Sequence, residues 1–152
     1  MLRTPLYELC RTGGGRMVPF AGWEMPVQFS GLIQEHKAVR NSVGMFDISH
    51  MGVLRLEGAN PKDTLQQLVP SDLHRIGPGE ACYTVLLNDQ GGIRDDLIIY
   101  ELGAIDDQRG ALVLVINAAC AASDAAWIRE RMAPEGVTMT AQNNQGDILA
   151  AQ

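Results

Sequence analysis

The stretch Asn88-Asp89-Gln90-Gly91-Gly92-Ile93-Arg94-Asp95-Asp96-Leu97-Ile98-Ile99-Tyr100 decides the fold, because it reads as a turn leading into a strand that carries carboxylates among apolar side chains. The polar-Gly-Gly cluster marks a hairpin, and the apolar runs on either side, Tyr83 to Leu87 and Leu97 to Tyr100, are its two strands. Asp is depleted in strands and costly to bury unpaired, so Asp95 and Asp96 run against local propensity. Two readings stand: a solvated, turn-capping pair, or a carboxylate kept in the strand for function, where local rules tend to fail.

Strand parity separates the two carboxylates. Successive side chains point to opposite faces, so Asp96, Ile98 and Tyr100 share one face and Asp95, Leu97 and Ile99 the other. With a connecting loop of two residues, or of any even number, Tyr83 falls on the face of Asp96 and Tyr100. A loop at Asp89-Gln90 sets Tyr83 opposite Asp96, and a turn centred on Gly91-Gly92 sets it opposite Tyr100. A three-residue loop or a bulge breaks this inference.

The rest of the 152-residue chain, 46 % hydrophobic, holds enough apolar material for one domain with a core or for parts of two. Its net charge of -6, with Lys37 and Lys62 its lysines, leaves no basic stripe for a phosphate backbone and disfavours anionic membranes, so neither nucleic acid nor membrane is an expected partner. Apolar runs such as Ala111 to Ile116 are too short to span a bilayer. The start Met1-Leu2-Arg3-Thr4-Pro5 resembles neither a secretory signal nor a transit peptide, which leaves a cytoplasmic setting as the default. Cys10, Cys82 and Cys120 are too scattered for a disulfide framework or a metal motif and read as free thiols.

Along the chain, a short helix is expected over Pro5 to Cys10, followed by a Gly13-Gly14-Gly15 turn that lacks the residues of a phosphate cradle. Met17 to Trp23 reads as extended. Ser30 is placed to cap a helix from Gly31 to Val43, with Leu32, His36, Val39 and Val43 on one stripe, Gly44 as its stop and His36 as an interface residue rather than a ligand. Val53 to Leu56 alternates as a strand; Asn60, Pro61 and Asp63 open a second helix whose apolar face is Leu65, Leu68 and Val69. Ala111 to Ala118 is a buried strand, Ser123 to Met132 a helix ended by Pro134 and Gly136, and Val137 to Thr140 a short strand. Ile148 to Gln152 opens a further strand with nothing after it, as if a longer protein were cut there. Strands and helices in mixed order with hairpin connections indicate an α+β fold of antiparallel sheets with flanking helices.

Several segments together carry a family resemblance: Thr4-Pro5-Leu6, Val18-Pro19-Phe20-Ala21-Gly22-Trp23-Glu24-Met25-Pro26, Ala38-Val39-Arg40, Val43-Gly44-Met45-Phe46-Asp47-Ile48-Ser49-His50-Met51-Gly52 and Gly91-Gly92-Ile93-Arg94-Asp95-Asp96-Leu97. They resemble the T protein of the glycine cleavage system, the tetrahydrofolate-dependent aminomethyltransferase. The resemblance runs from Met1 to Gln152, and family members continue past the residue that matches Gln152. It implies the N-terminal part of a multi-domain folate-binding fold: residues 1–54 as the first part of a discontinuous domain, 55–136 as a hairpin-containing α+β domain, and 137–152 as the start of a return to the first.

By the same resemblance, the reaction takes the aminomethyl group from the lipoyl arm of the H protein, releases ammonia and passes the one-carbon unit to tetrahydrofolate as co-substrate, giving methylenetetrahydrofolate. The family's essential acid corresponds to Asp96, beside the reacting folate nitrogen, as base or as electrostatic partner to developing positive charge. Met51, Tyr83, Tyr100 and Asn117 match positions lining the folate pocket, where rings, a thioether and an amide suit a flat heterocycle. Without the resemblance, the two tyrosines and the methionine read as core. His50 is given a structural role, and no metal is expected. The family's pterin-recognising acid and arginine lie beyond the matched region, which leaves as one alternative a catalytically inactive piece that self-associates; another folate-dependent demethylating module of the same superfamily, sharing the fold and parts of the pocket, is the other, and the contiguous segments 20–26 and 46–52 favour the T protein over it.

Overall fold

The computed structural model describes residues 1–142 and 148–152. In chain order the elements are α1 (Tyr7–Thr12), β1 (Met17–Phe20), β2 (Trp23–Pro26), α2 (Leu32–Asn41), β3 (Met45–Asp47), β4 (Gly52–Gly58), α3 (Pro61–Gln66), β5 (Ala81–Leu87), β6 (Ile93–Ala104), β7 (Gly110–Ile116), α4 (Ala121–Met132), β8 (Thr138–Ala141) and β9 (Leu149–Ala151), with short 3-10 turns at Leu73–Arg75 and Ala133–Glu135. They form two compact units, residues 1–50 with 144–152, and residues 51–143. The antiparallel α+β architecture is the one expected from the sequence.

The second unit is built on a five-stranded sheet of order β5-β6-β7-β4-β8, antiparallel at every pairing. Period-two alternation gives the sheet one core face. Leu54 and Leu56 of β4, Leu86 of β5, Leu97 and Ile99 of β6, and Leu112, Leu114 and Ile116 of β7 are all buried there. Leu65 of α3, Leu68, Val69 and Leu73 beyond it, and Ile128 and Met132 of α4 join them in a single cluster. Helix α3 begins as expected, with Asn60 in the cap position and Pro61 at its first turn, where the missing N–H costs nothing. The sheet takes in all of β4 and β8, so it extends across both 54/55 and 136/137, where the sequence division was drawn; residues 143–147 of that last segment lie outside the described residues.

In the first unit, β1 pairs with β2 and β3 with β9, each antiparallel. The strand expected to open without a partner therefore has one, reinforced by reciprocal backbone hydrogen bonds between Gly44 and Gln152 at 2.8 and 3.0 Å. Helix α2 differs from expectation at its start. Gly31, at φ 133°, precedes the first helical residue, and Glu35 rather than Ser30 does the capping, its carboxylate accepting from the N–H groups of Phe29 (2.8 Å) and Gly31 (2.7 Å). The expected apolar stripe does not become core: α2 holds no buried residue, and Leu32, His36 and Val43 are exposed.

Gly52 is fixed by close approach. A Cβ there would come within 2.5 Å of Ile116 Cγ1 and 3.2 Å of Ala121 Cβ, where the end of β7 and the start of α4 close over the strand. Ile116 is buried and has no room to give. Gly52→Ala is expected to lower unfolding free energy by about 1–3 kcal/mol, the usual cost of overpacking a dense core; urea unfolding of the chain measures it, and unchanged stability would show that the contact relaxes freely.

Candidate functional site

The hairpin connection is neither of the two-residue turns considered from sequence. Leu87 pairs with Ile93 across a five-residue loop, Asn88–Gly92, in which the Asn88 side-chain oxygen accepts from the N–H groups of Gln90 (3.0 Å) and Gly92 (2.8 Å) and Gly91 takes a left-handed φ of 77°. An odd loop alone would invert the parity. The register shifts by one residue immediately afterwards, because Leu86 pairs with Asp95 and Arg94 is the extra residue of a bulge. Two odd offsets cancel. Tyr83 consequently pairs with Ile98, lies diagonally between Asp96 and Tyr100, and shares their face.

That face is the one opposite the core. Tyr83 is 68 % and Tyr100 40 % exposed, so the reading of the tyrosines as core fails. Ile98 with Val115, and Tyr100 with Val113, continue the apolar platform onto β7. The Tyr83 hydroxyl donates to Asp96 Oδ2 at 3.0 Å. Its phenol is raised above its ordinary pKa by that hydrogen bond first and by the charge of Asp96 next, so Tyr83 keeps its proton and remains a donor.

Asn117 follows β7 and closes the row. Its Nδ2 donates to Asp95 Oδ1 at 2.9 Å and to the carbonyl and Oδ1 of Asp96, both at 3.2 Å, which ties the two carboxylates together across the strand. With three oxygens around it, this end of the amide must be the NH2 group. Gly52 pairs with Ile116 and Leu97 with Ile116, so the register carried one residue further sets Met51, Asn117 and Asp96 at one end of the sheet. Met51 is half-buried there. The structure thus gathers Tyr83, Asp96 and Asn117 by hydrogen bonds, with Met51 at the same end of the sheet and Tyr100 on the same face, four residues along β6 from Asp96.

Asp95 lies on the other face, beside buried Leu97 and Ile99, which excludes the solvated turn-pair reading for it. There it meets Asp124 of α4, a residue the sequence reading passed over. Asp124 is 1 % exposed. Burial, then hydrogen bonding to Asp95 and the charge of Asp95, push its carboxyl up to about 6 from an ordinary 3.8. The signal was present in the spacing: Asp124, Ile128 and Met132 stand four residues apart and form one buried stripe. Burying Ile128 and Met132 contributes about 1.5–3 kcal/mol each, enough to carry a hydrogen-bonded neutral carboxyl into the interior with them. Asp95, Cys120 and Asp124 place ligand-type atoms within 4.8 Å of one another, and the Cys120 thiol is raised, chiefly by the charge of Asp95.

The hairpin is tied to α4 on this side. Trp127 Nε1 donates to the Leu87 carbonyl at 3.1 Å, Arg131 Nη2 reaches both oxygens of Asp89 at 3.0 and 3.2 Å, and Arg94 and Arg131 lie over the Trp127 ring. His50, in the first unit, stacks edge-on against Phe20 with centroids 5.6 Å apart, and burial lowers its pKa. A cavity of about 420 Å³ opens at the other end of β6 and β7, lined by Lys62, Glu101 and Arg109 among others, and Asp95 and Asp96 are not part of its lining.

Residues 6–152 match the family model for the GCVT N-terminal domain. The chain belongs to that family. It is 90 % identical over 152 residues to an aminomethyltransferase of Synechococcus sp. (strain CC9902) and 77 % identical over 150 residues to one of Parasynechococcus marenigrum (strain WH8102). It covers 100 % and 99 % of its own length in these matches but 42 % and 41 % of theirs. A crystal structure of glycine cleavage system aminomethyltransferase T from Bartonella henselae superposes with a TM-score of 0.85 at 34 % identity, over 99 % of this chain and 40 % of that one. The match is to the N-terminal portion of this family, as the sequence motifs implied.

The raised Asp124 pKa has a stability consequence. Between about pH 4 and about pH 6 the folded chain holds a proton that the unfolded chain has released, so this group's contribution is most favourable below that window and is lost as pH rises through it. Asp124→Asn removes the slope. Urea unfolding across this range should show the variant gaining on the wild type as pH rises and a constant difference above the window; a difference independent of pH would contradict the shift.

Proposed function

We propose that one-carbon transfer from an aminomethyl-lipoyl H protein to tetrahydrofolate takes place at Asp96. The observation that carries this reading is a half-buried carboxylate at the edge of an exposed tyrosine face, already oriented by Tyr83 and Asn117. Membership of the GCVT N-terminal domain family supports it. The residues fit the co-substrate: two aromatic rings and an aliphatic row offer a surface for a flat heterocycle, Met51 a polarizable edge, and Asn117 an amide. Tetrahydrofolate, when bound, supplies the two amine nitrogens that take up the carbon.

The carbon loses its bonds to sulfur and to the amino nitrogen, gains two bonds to folate nitrogens, and leaves ammonia and a lipoyl thiol. Two protons pass from the folate amines to the leaving groups. Asp96 is placed to accept a proton from an attacking amine or to face the positive charge that develops on the transferred unit, while Tyr83, as a retained donor, holds Oδ2 in place. The lipoylated H protein as partner and a cytoplasmic setting belong to the same reading. No described helix is long and apolar enough to cross a membrane.

A second reading concerns the chain taken alone, because it spans about two fifths of the length of the relatives it matches. Leu32, Ile33, Val43, Met45 and Phe46 are exposed in the first unit, which favours self-association of an inactive piece. Adding the purified chain to aminomethyl-lipoyl carrier and tetrahydrofolate, with sizing in parallel, separates the two. Turnover rejects the inactive piece, and a well-behaved monomer rejects self-association.

In the full-length protein, Asp96→Asn is expected to lower transfer by about 10²–10⁴-fold with the fold retained, the range for loss of a general acid or base. Asp95→Asn keeps an acceptor for Asn117 and should lose far less. Methylenetetrahydrofolate formation by the two variants is the measurement, and equal losses would refute the assignment of Asp96 rather than Asp95.

A further inference from the structure

Asp124 is a buried carboxyl that the transfer chemistry does not touch. From β6 it faces Asp95 and Arg94; from its own end of α4 it faces Cys120 and Ser123. Arg94 does not discharge it: Nε stands 3.9 Å from Asp124 Oδ1, too far for a hydrogen bond, and the guanidinium sits 4.4 Å over the Trp127 ring. Two buried oxygens remain without a partner, Asp95 Oδ2 and Asp124 Oδ2, on carboxyl groups that approach within 4.8 Å. Arg94 Nε is likewise buried without a partner, and a proton on Asp124 would set a donor against an acceptor within the carboxyl pair. The second oxygen of Asp95 accepts from Asn117, and Asn117 also reaches Asp96. A connected path therefore runs from the helix side of the sheet to its open face.

We propose that Asp124 is a positioning residue: its carboxylic O–H donates to Asp95, and Asp95, held in this way, fixes the Asn117 amide that orients Asp96. This rests on the reading of Asp96 as the carboxylate of the transfer reaction. Asp124 is anchored by the buried stripe of α4. A small displacement of a reacting group costs rate steeply, so the buried pair acts on kcat more than on folate affinity.

Two substitutions in the full-length protein test it. Asp124→Asn keeps an N–H donor of similar shape at every pH, and Asp124→Ala keeps none. Measured below about pH 6, where the wild-type carboxyl holds its proton, the Ala variant should lose about tenfold or more in kcat with a much smaller change in KM for tetrahydrofolate, and the Asn variant should recover most of that loss. The ratio of Asn-variant to wild-type kcat should rise as pH passes through about 6, because the wild-type pair sheds its proton there and the amide does not. Equal losses in the two variants, or a flat ratio, overturn the proposal. Where the Ala variant does not fold, carboxyl carbon-13 titration of the resting wild-type protein decides: coupled titration of Asp95 and Asp124 supports the shared proton, and independent titration rejects it. Asp124→Ala at wild-type rates, with Asp96→Asn inactive, rejects the positioning role alone; an active Asp96→Asn rejects the reading beneath it.

Discussion

The one-residue bulge at Arg94 is the constraint on which the rest of the site depends. Adjacent residues of a strand face opposite ways, so a single unit of register decides whether Asp96 or Asp95 meets the tyrosines. The five-residue loop alone would have given the wrong face. The bulge restores the parity and leaves Asp95 beneath the sheet, where α4 supplies a partner. It also turns Arg94 toward Trp127, and the contacts from Trp127 to Leu87 and from Arg131 to Asp89 secure the same hairpin end. Shape and electrostatics thus have one origin: the distortion that orients Asp96 also creates the place where Asp95 and Asp124 meet.

Much of this was legible in the sequence, for physical reasons that can be named. Alternation in Val53 to Leu56 and the continuous apolar run from Ala111 to Ile116 marked the core strands. Asn60-Pro61 marked a helix start because proline is tolerated there and almost nowhere else in a helix. The face of Asp96 followed from parity, although by a route through loop and bulge that spacing alone does not reveal.

The failures are equally instructive. The α2 stripe of Leu32, His36, Val39 and Val43 shows why hydrophobic spacing reports only that a surface can be covered: no residue of that helix is buried. Tyr83 and Tyr100 read as core by composition and stand on the open face, since nothing in residue type distinguishes a buried ring from one presented to a ligand. Asp124 was missed because a lone Asp in a first helical turn is ordinarily solvated and favoured by the helix dipole. Its position on the Ile128 and Met132 stripe carried the information.

The central claim is that the face bearing Asp96, Tyr83 and Tyr100 receives the folate. Of the chain's three tyrosines, Tyr83 and Tyr100 stand on this face. Tetrahydrofolate titrated into full-length protein with labelled tyrosine rings tests the claim most directly by NMR. The account predicts saturable shifts of the Tyr83 and Tyr100 signals; saturation of the protein with folate while both signals stay in place would contradict it.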